Sequence, residues 1–273
     1  EQGVLWPELK TWIEEQGFAP LWMPQLPHDD VLFVRRDHVL NKVSQKFQSI
    51  HYLRHNRRRQ EHLASLGLDL CKKRVLEVGA GIGDHTDFFL DRGCEIVCTD
   101  VRPENLMYLH KRFAGLSTVE ILELNMDQPE LSIGSFDIVY CYGLLYHLRY
   151  PAEALGFMSR LCSGLLLLET CVSYGDNTAS NPVNEQAADV SQSFYGQGCR
   201  PTRNWIWENL KSFFPHVYLP LTQPAHEEFP VDWTSLPSDG KQKLTRSVFV
   251  AAKHAISKNN LLSKELLMRQ NVS

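Results

Sequence analysis

The stretch Arg74-Val75-Leu76-Glu77-Val78-Gly79-Ala80-Gly81-Ile82-Gly83-Asp84-His85-Thr86 decides the fold of this chain. Residues 75–78 form a short, largely apolar run, which is the pattern of a strand buried on both faces. The glycines that follow allow a sharp turn and a close approach of the backbone to a ligand. Residues 84–91 then have the pattern of a helix whose first N–H groups face the turn. Together these elements predict half of a nucleotide-type binding cleft.

Length and composition limit the possible classes of protein. With 273 residues, the chain is long enough to bury a full core. Its net charge of −4 gives no global field that would draw it to nucleic acid, although a local patch could. The seven cysteines show no metal-ligand spacing, so we predict no metal site and a reducing, cytoplasmic compartment. The apolar run 161–168 is too short to span a bilayer, and we expect no membrane partner.

Strand and helix patterns alternate from residue 74 onward, which is typical of a parallel sheet with helices on both faces. The last two strand patterns, 217–221 and 246–252, flank a loop without a helix pattern, which predicts an antiparallel pair. We therefore expect an α/β fold with a doubly wound, seven-stranded, mostly parallel sheet whose last strand is antiparallel.

Three segments divide the chain. Residues 1–40 are predicted to be a helix–strand–strand appendage, and one interpretation is that it is the remnant of a preceding domain. Residues 41–256 form the main α/β domain. Residues 257–273 form a C-terminal tail, for which the spacing of leucines predicts an amphipathic helix.

The glycine pattern alone does not identify the ligand. Asp84 stands where the dinucleotide fingerprint G-x-G-x-x-G has a glycine, and Asp100 ends the second strand, where a carboxylate accepts hydrogen bonds from ribose hydroxyls. NAD enzymes and S-adenosylmethionine (SAM) enzymes share that acid. Features that favour SAM are Glu77 before the turn, Asn125-Met126-Asp127 after the third strand, and Tyr142 at the end of the fourth.

With these motifs in this order, residues 74–170 resemble a class I SAM-dependent methyltransferase. The resemblance implies SAM as the cofactor, with the glycine loop at its methionine moiety, Asp100 at the ribose and residues 125–127 at the adenine. The predicted cofactor-binding residues are Glu77, Gly79, Gly81, Gly83, His85, Asp100, Asn125, Met126, Asp127 and Tyr142.

A narrower resemblance begins at Gly143-Leu144-Leu145-Tyr146-His147-Leu148. This segment is similar to the subfamily of tRNA wobble-uridine carboxymethyltransferases, which also carry a G-x-H matched by Gly83-Asp84-His85. Those enzymes use carboxy-SAM, and the resemblance implies that Tyr146 helps to hold its additional carboxylate. However, the chain lacks their basic K-G-P-F-type segment before the first strand, and its overall charge is acidic.

We therefore expect a SAM-dependent methyltransferase that acts on an oxygen of a polar small molecule or sugar. A tRNA wobble-uridine (carboxy)methyltransferase is the alternative, with tRNA disfavoured as a partner. Two other classes remain open, namely an NAD-dependent oxidoreductase and a SAM-binding module without catalysis.

Methyl transfer from a sulfonium is an in-line displacement, so the protein mainly aligns the reacting atoms and excludes water. A hydroxyl acceptor benefits from a positioned base. His147 is our candidate for this base, the alternative being a histidine that only holds its neighbour Tyr146 or a loop carbonyl. Tyr146 either lines the transfer site or packs under the loop, and Glu169 either binds the acceptor or is a solvated carboxylate at the end of a strand.

Further candidates lie outside the cofactor motifs. Arg200 and Arg203 open a predicted helix and form either an anion-binding arrangement for the acceptor or a surface turn. Tyr195 either faces the acceptor or anchors the preceding loop. The basic run 54–59 is either a solvated helix face or a collar of positive charge that grips an anionic substrate. The loop 223–230 is either a plain connection or a lid with His226 and Glu227 at its rim.

Overall fold

The computed structural model describes residues 6–21, 32–35, 43–130, 132–235, 244–257 and 259–273. The first elements are helix α1 (Trp6–Glu15) and strands β1 (Phe18–Leu21) and β2 (Leu32–Arg35). The two strands pair antiparallel in a small sheet of their own. This is the order of elements that the sequence predicts for this segment, and whether the segment derives from another domain stays a prediction.

The rest of the described chain alternates strands and helices. None of the helices in the described ranges is both long and apolar enough to cross a membrane. In chain order, the elements are α2 (Ile50–Ser65), β3 (Arg74–Val78), α3 (Thr86–Leu90), β4 (Glu95–Asp100), α4 (Pro103–Arg112), β5 (Val119–Glu123), β6 (Phe136–Tyr142), a 3₁₀ turn (Leu145–His147), α5 (Pro151–Leu161), β7 (Cys162–Val172), β8 (Pro182–Asn184), β9 (Gln197–Cys199), α6 (Arg203–Phe213), β10 (His216–Pro220), β11 (Thr222–Gln223), β12 (Thr245–Ala252), β13 (Leu262–Ser263) and β14 (Asn271–Val272).

The main sheet has eight strands in the order β13-β10-β12-β7-β6-β3-β4-β5. Strands β3 to β7 are parallel to one another, whereas β12 lies antiparallel between β7 and β10. The predicted α/β fold with its antiparallel late strand is therefore confirmed. The sheet exceeds the predicted seven strands because the two-residue strand β13 pairs with the edge of β10.

Both faces of the sheet are buried, which explains why its central strands are nearly continuous apolar runs. Leu76 on one face of β3 belongs to a cluster that includes Leu155 of α5. Its neighbour Val75, which points to the opposite face, belongs to a cluster with Leu63 of α2 and Phe89 of α3. Since successive side chains of a strand alternate, helices cover the sheet on both sides.

The amphipathic helix predicted for residues 257–270 is absent from the described part of the tail, residues 257 and 259–273, which contains only β13 and β14. The leucines that suggested a helix make separate contacts instead. Leu262 pairs with Pro220 in the sheet, while Leu266 and Leu267 pack against the core. The Nε2 of Gln270 donates to the Pro220 carbonyl at 2.7 Å. Pairing with the sheet edge has therefore overridden the local helical spacing.

Gly83 gives a test of the packing behind the glycine turn. Its φ is +78°, and a Cβ there would lie 2.5 Å from the Phe113 ring. Gly115 has a similar φ of +83° but no atom within 4 Å of such a Cβ. We expect both alanine variants to lose roughly 1–2 kcal/mol for the backbone conformation. Gly83→Ala should lose a further 1–3 kcal/mol or so through overpacking. Urea unfolding followed by circular dichroism measures both, and equal losses would contradict this packing.

Candidate functional site

The glycine turn follows β3, and its three glycines have different roles. All three have positive φ, between 59° and 78°. A Cβ on Gly79 would lie 2.9 Å from the Leu144 side chain, and a Cβ on Gly83 would clash with Phe113. At both positions, therefore, the packing as well as the positive φ requires glycine. Gly81 has more space, with Phe47 at 3.5 Å, and it lines the cavity above the turn. The turn therefore exposes its backbone to that cavity at Gly81.

Asp84, which departs from the dinucleotide fingerprint, ties the turn to two helices. Its Oδ2 accepts from Nδ2 of Asn56 at 2.9 Å, and its Oδ1 accepts from Nη1 of Arg112 at 3.0 Å. A glycine at this position could make neither bond. The aspartate therefore fixes α2 and α4 against the start of α3.

Asp100 lies at the end of β4, where the sequence predicts it. Its two oxygens accept backbone N–H groups of Gly81 and Arg102, each at 2.9 Å. Burial raises the pKa of Asp100, and these two hydrogen bonds act in the opposite direction. The carboxylate thus joins the glycine turn to the loop after β4, and its remaining lone pairs are suited to ribose hydroxyls.

Glu77 lies inside β3 and is almost fully buried. Its Oε2 accepts from Oγ1 of Thr86, the first residue of α3, at 2.6 Å. Burial is the main cause that raises the pKa of Glu77 to about 7, and the Thr86 hydrogen bond opposes it. Glu77 also lines the cavity, so it both orients the helix start and presents a carboxyl group to a ligand.

Four buried polar atoms of residues on the cavity wall have no hydrogen-bond partner among the residues that the structure describes. They are Nε of Arg59, Nε2 of His85, Oδ1 of Asn105 and the hydroxyl of Tyr142. A buried polar group without a partner is costly, so such a group usually indicates a ligand or water. SAM carries a carboxylate, an ammonium group and ribose hydroxyls, and this mixture of donors and acceptors fits it. Asn105 was not foreseen from the sequence, whereas Arg59 belongs to the basic run 54–59.

The residues after β5 are largely occupied by the protein itself. Asn125 donates from Nδ2 to the Tyr195 hydroxyl at 2.7 Å, and Asp127 accepts the N–H groups of Arg149 and Tyr150. Met126 is buried in the core and also lines the cavity. The structure therefore joins Tyr195, which was expected at the acceptor, to the adenine side of the predicted cofactor site.

His147 lies in the 3₁₀ turn after β6 and lines the same cavity. Its Nδ1 is 2.5 Å from Oε2 of Glu185. Glu185 lies in the long connection from the end of β7 to α6, residues 171–200, which contains β8 and β9 and which we call the 171–200 insertion. The other oxygen of Glu185 accepts from Arg200 at 2.9 Å. No local sequence pattern indicates a role for Glu185, because hairpin β8–β9 brings it to this turn from a distant part of the chain. Gly198 on that hairpin packs so closely that a Cβ would lie 2.4 Å from the Tyr146 carbonyl oxygen.

The predicted pairing of Arg200 with Arg203 at an anion site is not what the structure shows. Arg200 donates to Glu185 and to the Tyr146 carbonyl oxygen. Arg203 instead donates to the Leu267 carbonyl oxygen and stacks 4.3 Å from the Trp233 ring centroid. The two guanidinium groups therefore serve different parts of the fold, and only Arg200 is near His147.

Glu169 is fully buried within β7, opposite Tyr142 at the end of β6, rather than solvated at the end of a strand. Its two oxygens accept from Arg59 at 2.8 Å and from Arg246 at 3.0 Å. Burial alone would raise the pKa of Glu169, but the Coulomb attraction of Arg246 and Arg59 outweighs it and lowers the pKa. Arg246 also donates to the Tyr146 hydroxyl at 3.1 Å. Sequence reasoning missed Arg246 and the pairing of Arg59 with Glu169, because these partners are distant in the chain.

The basic run 54–59 does not form a collar. Arg54 pairs with Glu227 at 2.8 Å, and Arg58 pairs with Glu61 at 2.7 Å. His55, Asn56 and Arg59 are buried. The run therefore combines surface ion pairs with a buried face that meets the cavity and Glu169.

The raised pKa of Glu77 predicts a pH dependence of stability. Because the folded state binds this proton more tightly than the unfolded state, its contribution is full below pH 4.5 and is lost as the pH rises to about 7. The free energy of unfolding of the ligand-free protein should fall across this window, by at most about 1.4 kcal/mol per pH unit. Urea unfolding of Glu77→Gln, which keeps the side-chain shape, should lack that fall. A parallel pH profile in the variant would refute the assignment.

Comparisons with known proteins indicate a methyltransferase. The family model described as "Methyltransferase domain" matches residues 76–163. A tRNA U34 carboxymethyltransferase of Vibrio vulnificus strain YJ016 is 32% identical over 145 residues, which is 50% of this chain and 44% of that protein. One from Vibrio parahaemolyticus is 30% identical over 180 residues, or 62% and 54% of the two chains. The chain thus spans about half the length of these curated relatives.

Solved structures support the fold. The N-terminal domain of EvdMO1 with SAH bound aligns over 92% of this chain and 99% of that one, with a TM-score of 0.52 and 19% identity. The magnesium protoporphyrin IX methyltransferase of Synechocystis PCC 6803 aligns over 80% and 91%, with a TM-score of 0.52 and 11% identity. Residues 76–163 therefore match a methyltransferase domain, and the chain is similar in sequence to the tRNA U34 carboxymethyltransferases and in fold to SAM-dependent methyltransferases.

Proposed function

We propose that this chain transfers a methyl group from SAM, or a carboxymethyl group from carboxy-SAM, to an oxygen of a uridine in tRNA. The observation that carries the proposal is the 30–32% identity to proteins named tRNA U34 carboxymethyltransferase. The site supports it with a histidine–carboxylate pair beside the predicted cofactor cavity.

The expectation that disfavours tRNA against a small molecule or sugar is wrong, because the relatives at this level of identity are tRNA-modifying enzymes by name. That expectation depended on the net charge of −4 and on the absence of a K-G-P-F-type segment. Net charge sums over every face of the molecule and does not describe the one face that meets an acceptor. It was therefore a weak ground for excluding a nucleic acid.

The geometry of His147 suits a general base. The Glu185 carboxylate can only accept, so we assign the proton to Nδ1 of His147 and the free lone pair to Nε2. Burial is the main cause that lowers the pKa of His147, although Glu185 raises it. The imidazole is then neutral near pH 7 and can take a proton from a hydroxyl of the acceptor. SAM, when bound, supplies an electrophilic methyl group on a positively charged sulfur.

The buried hydroxyl of Tyr146 keeps its own proton. Its hydroxyl oxygen accepts from Nη2 of Arg246 at 3.1 Å, and burial raises the pKa of the phenol. The O–H group can therefore donate to a carboxylate, which is the role that the sequence resemblance implies for it. Arg246 is already matched by Glu169 and Glu228, so its charge is shared rather than free. The transfer experiment below therefore uses both donors, SAM and carboxy-SAM.

Transfer to tRNA is the direct test of the proposal. Purified chain is incubated with bulk cellular tRNA and with labelled SAM or labelled carboxy-SAM in separate reactions. We expect label in tRNA from one of the two donors, and no label when the tRNA is a transcript in which uridine 34 is replaced. Absence of label from both donors, with SAM binding intact, would contradict the proposal.

His147→Ala should reduce turnover by about 10²–10⁴-fold while leaving SAM affinity nearly unchanged, because the histidine acts on the acceptor. Glu185→Gln should lower the pKa of His147, since Glu185 raises it. The acidic limb of the pH–rate profile should then move to lower pH. A merely structural role for Glu185 would reduce the rate without moving that limb, and unchanged turnover in His147→Ala would remove the histidine from the chemistry.

A further inference from the structure

A second cluster of ligand-type side chains lies between α2 and the loop that precedes β12. It contains His55 of α2 together with His226 and Glu228 of the loop. One ligand atom from each of the three residues lies within 4.8 Å of the others. Two imidazoles and one carboxylate, with a position left open, form a common ligand set for zinc. We propose that His55, His226 and Glu228 bind a divalent transition metal of the zinc type.

The strongest support is the state of His55. It is 93% buried, since its relative exposure is 7%. Its Nε2 has no hydrogen-bond partner in the part of the chain that the structure describes, and it lies 3.7 Å from Oε2 of Glu228. A buried ring nitrogen without a partner requires an explanation. A metal ion between His55 and Glu228 supplies one, after an approach of the ligands to the shorter distances that zinc requires.

The other two ligands are held in place by contacts that metal binding would retain or easily replace. Oε2 of Glu228 accepts from Nε of Arg246 at 2.6 Å, which fixes the carboxylate as outer hydrogen bonds do in metal sites. Nδ1 of His226 accepts only a long hydrogen bond, 3.3 Å, from the Glu228 N–H. The centroids of the two histidine rings are 4.8 Å apart, and the ring planes are tilted by 43°.

Local charge does not exclude a cation. Three guanidinium groups lie near the cluster, and each faces a carboxylate: Arg59 with Glu169, Arg246 with Glu169 and Glu228, and Arg54 with Glu227. Burial is the main cause that lowers the pKa of His55, and the positive charges of Arg59 and Arg246 lower it further. Burial also lowers the pKa of His226. Both imidazoles are therefore neutral near pH 7, the state in which histidine binds metals.

Sequence spacing could not reveal this site, because His55 is distant in the chain from the pair at 226 and 228. The site is also coupled to the 3₁₀ turn. Arg246 contacts Glu228 through Nε and the Tyr146 hydroxyl through Nη2. A metal at the cluster would therefore act beside the part of the molecule that we assign to the acceptor.

Cobalt titration tests the proposal. The full chain is first treated with a chelator and then titrated with Co²⁺, whose visible absorption reports nitrogen ligation. We expect saturation at one equivalent per chain, displacement by Zn²⁺ and no competition by Mg²⁺, which prefers oxygen ligands. His226→Ala should weaken binding at least about 100-fold. Zn²⁺ should raise the Tm of the unaltered chain but not that of the variant.

The control is His254→Ala, which removes an exposed histidine outside the cluster and should leave the titration unchanged. Circular dichroism verifies that each variant folds, and His226→Gln serves with the same expectation if the alanine variant does not. The proposal is overturned by the absence of a one-equivalent transition, or by equal Co²⁺ affinity in the unaltered chain and a folded His226 variant. None of these readouts depends on transfer to tRNA.

Discussion

The buried carboxylate of Glu169 is the constraint on which the site depends. Arg59 from α2 and Arg246 from β12 donate to its separate oxygens, so three distant parts of the chain meet at this residue of β7. Removal of either guanidinium would leave a buried charge with incomplete compensation, at a cost on the order of 3–5 kcal/mol. The network therefore sets the position of α2 over the glycine turn and that of Arg246 against Tyr146.

The cavity has three sources. The ends of the parallel strands supply the glycine turn, Asp100 and the residues after β5, as in other open α/β sheets that bind ligands at the carboxyl ends of their strands. The 171–200 insertion and the segment 47–59, which includes the first half of α2, supply further parts of the wall. Arg102 holds the insertion by donating to the carbonyl oxygens of Ala187, Gln192 and Ser193, while the hairpin of the insertion presents Glu185 to His147. The cofactor and acceptor regions are thus joined through the insertion.

Local sequence patterns were sufficient for the features that local physics determines. The apolar strand before the glycine turn, the acid at the end of β4 and the antiparallel β12 all follow from patterns a few residues long. Glu185 and Arg246 could not be found in this way, because a side chain's distant partner leaves no mark on its own neighbours in sequence. The prediction of a helix in the tail was wrong for the same reason, since Leu262 pairs with the edge of β10 instead of with helical neighbours.

The central claim is that the cavity above the glycine turn binds SAM and uses the buried polar atoms of Arg59, His85, Asn105 and Tyr142 to do so. Calorimetric titration of the chain with S-adenosylhomocysteine, and separately with NAD, tests it most directly. The account predicts one S-adenosylhomocysteine per chain and no measurable heat with NAD. Binding of NAD without binding of S-adenosylhomocysteine would contradict it.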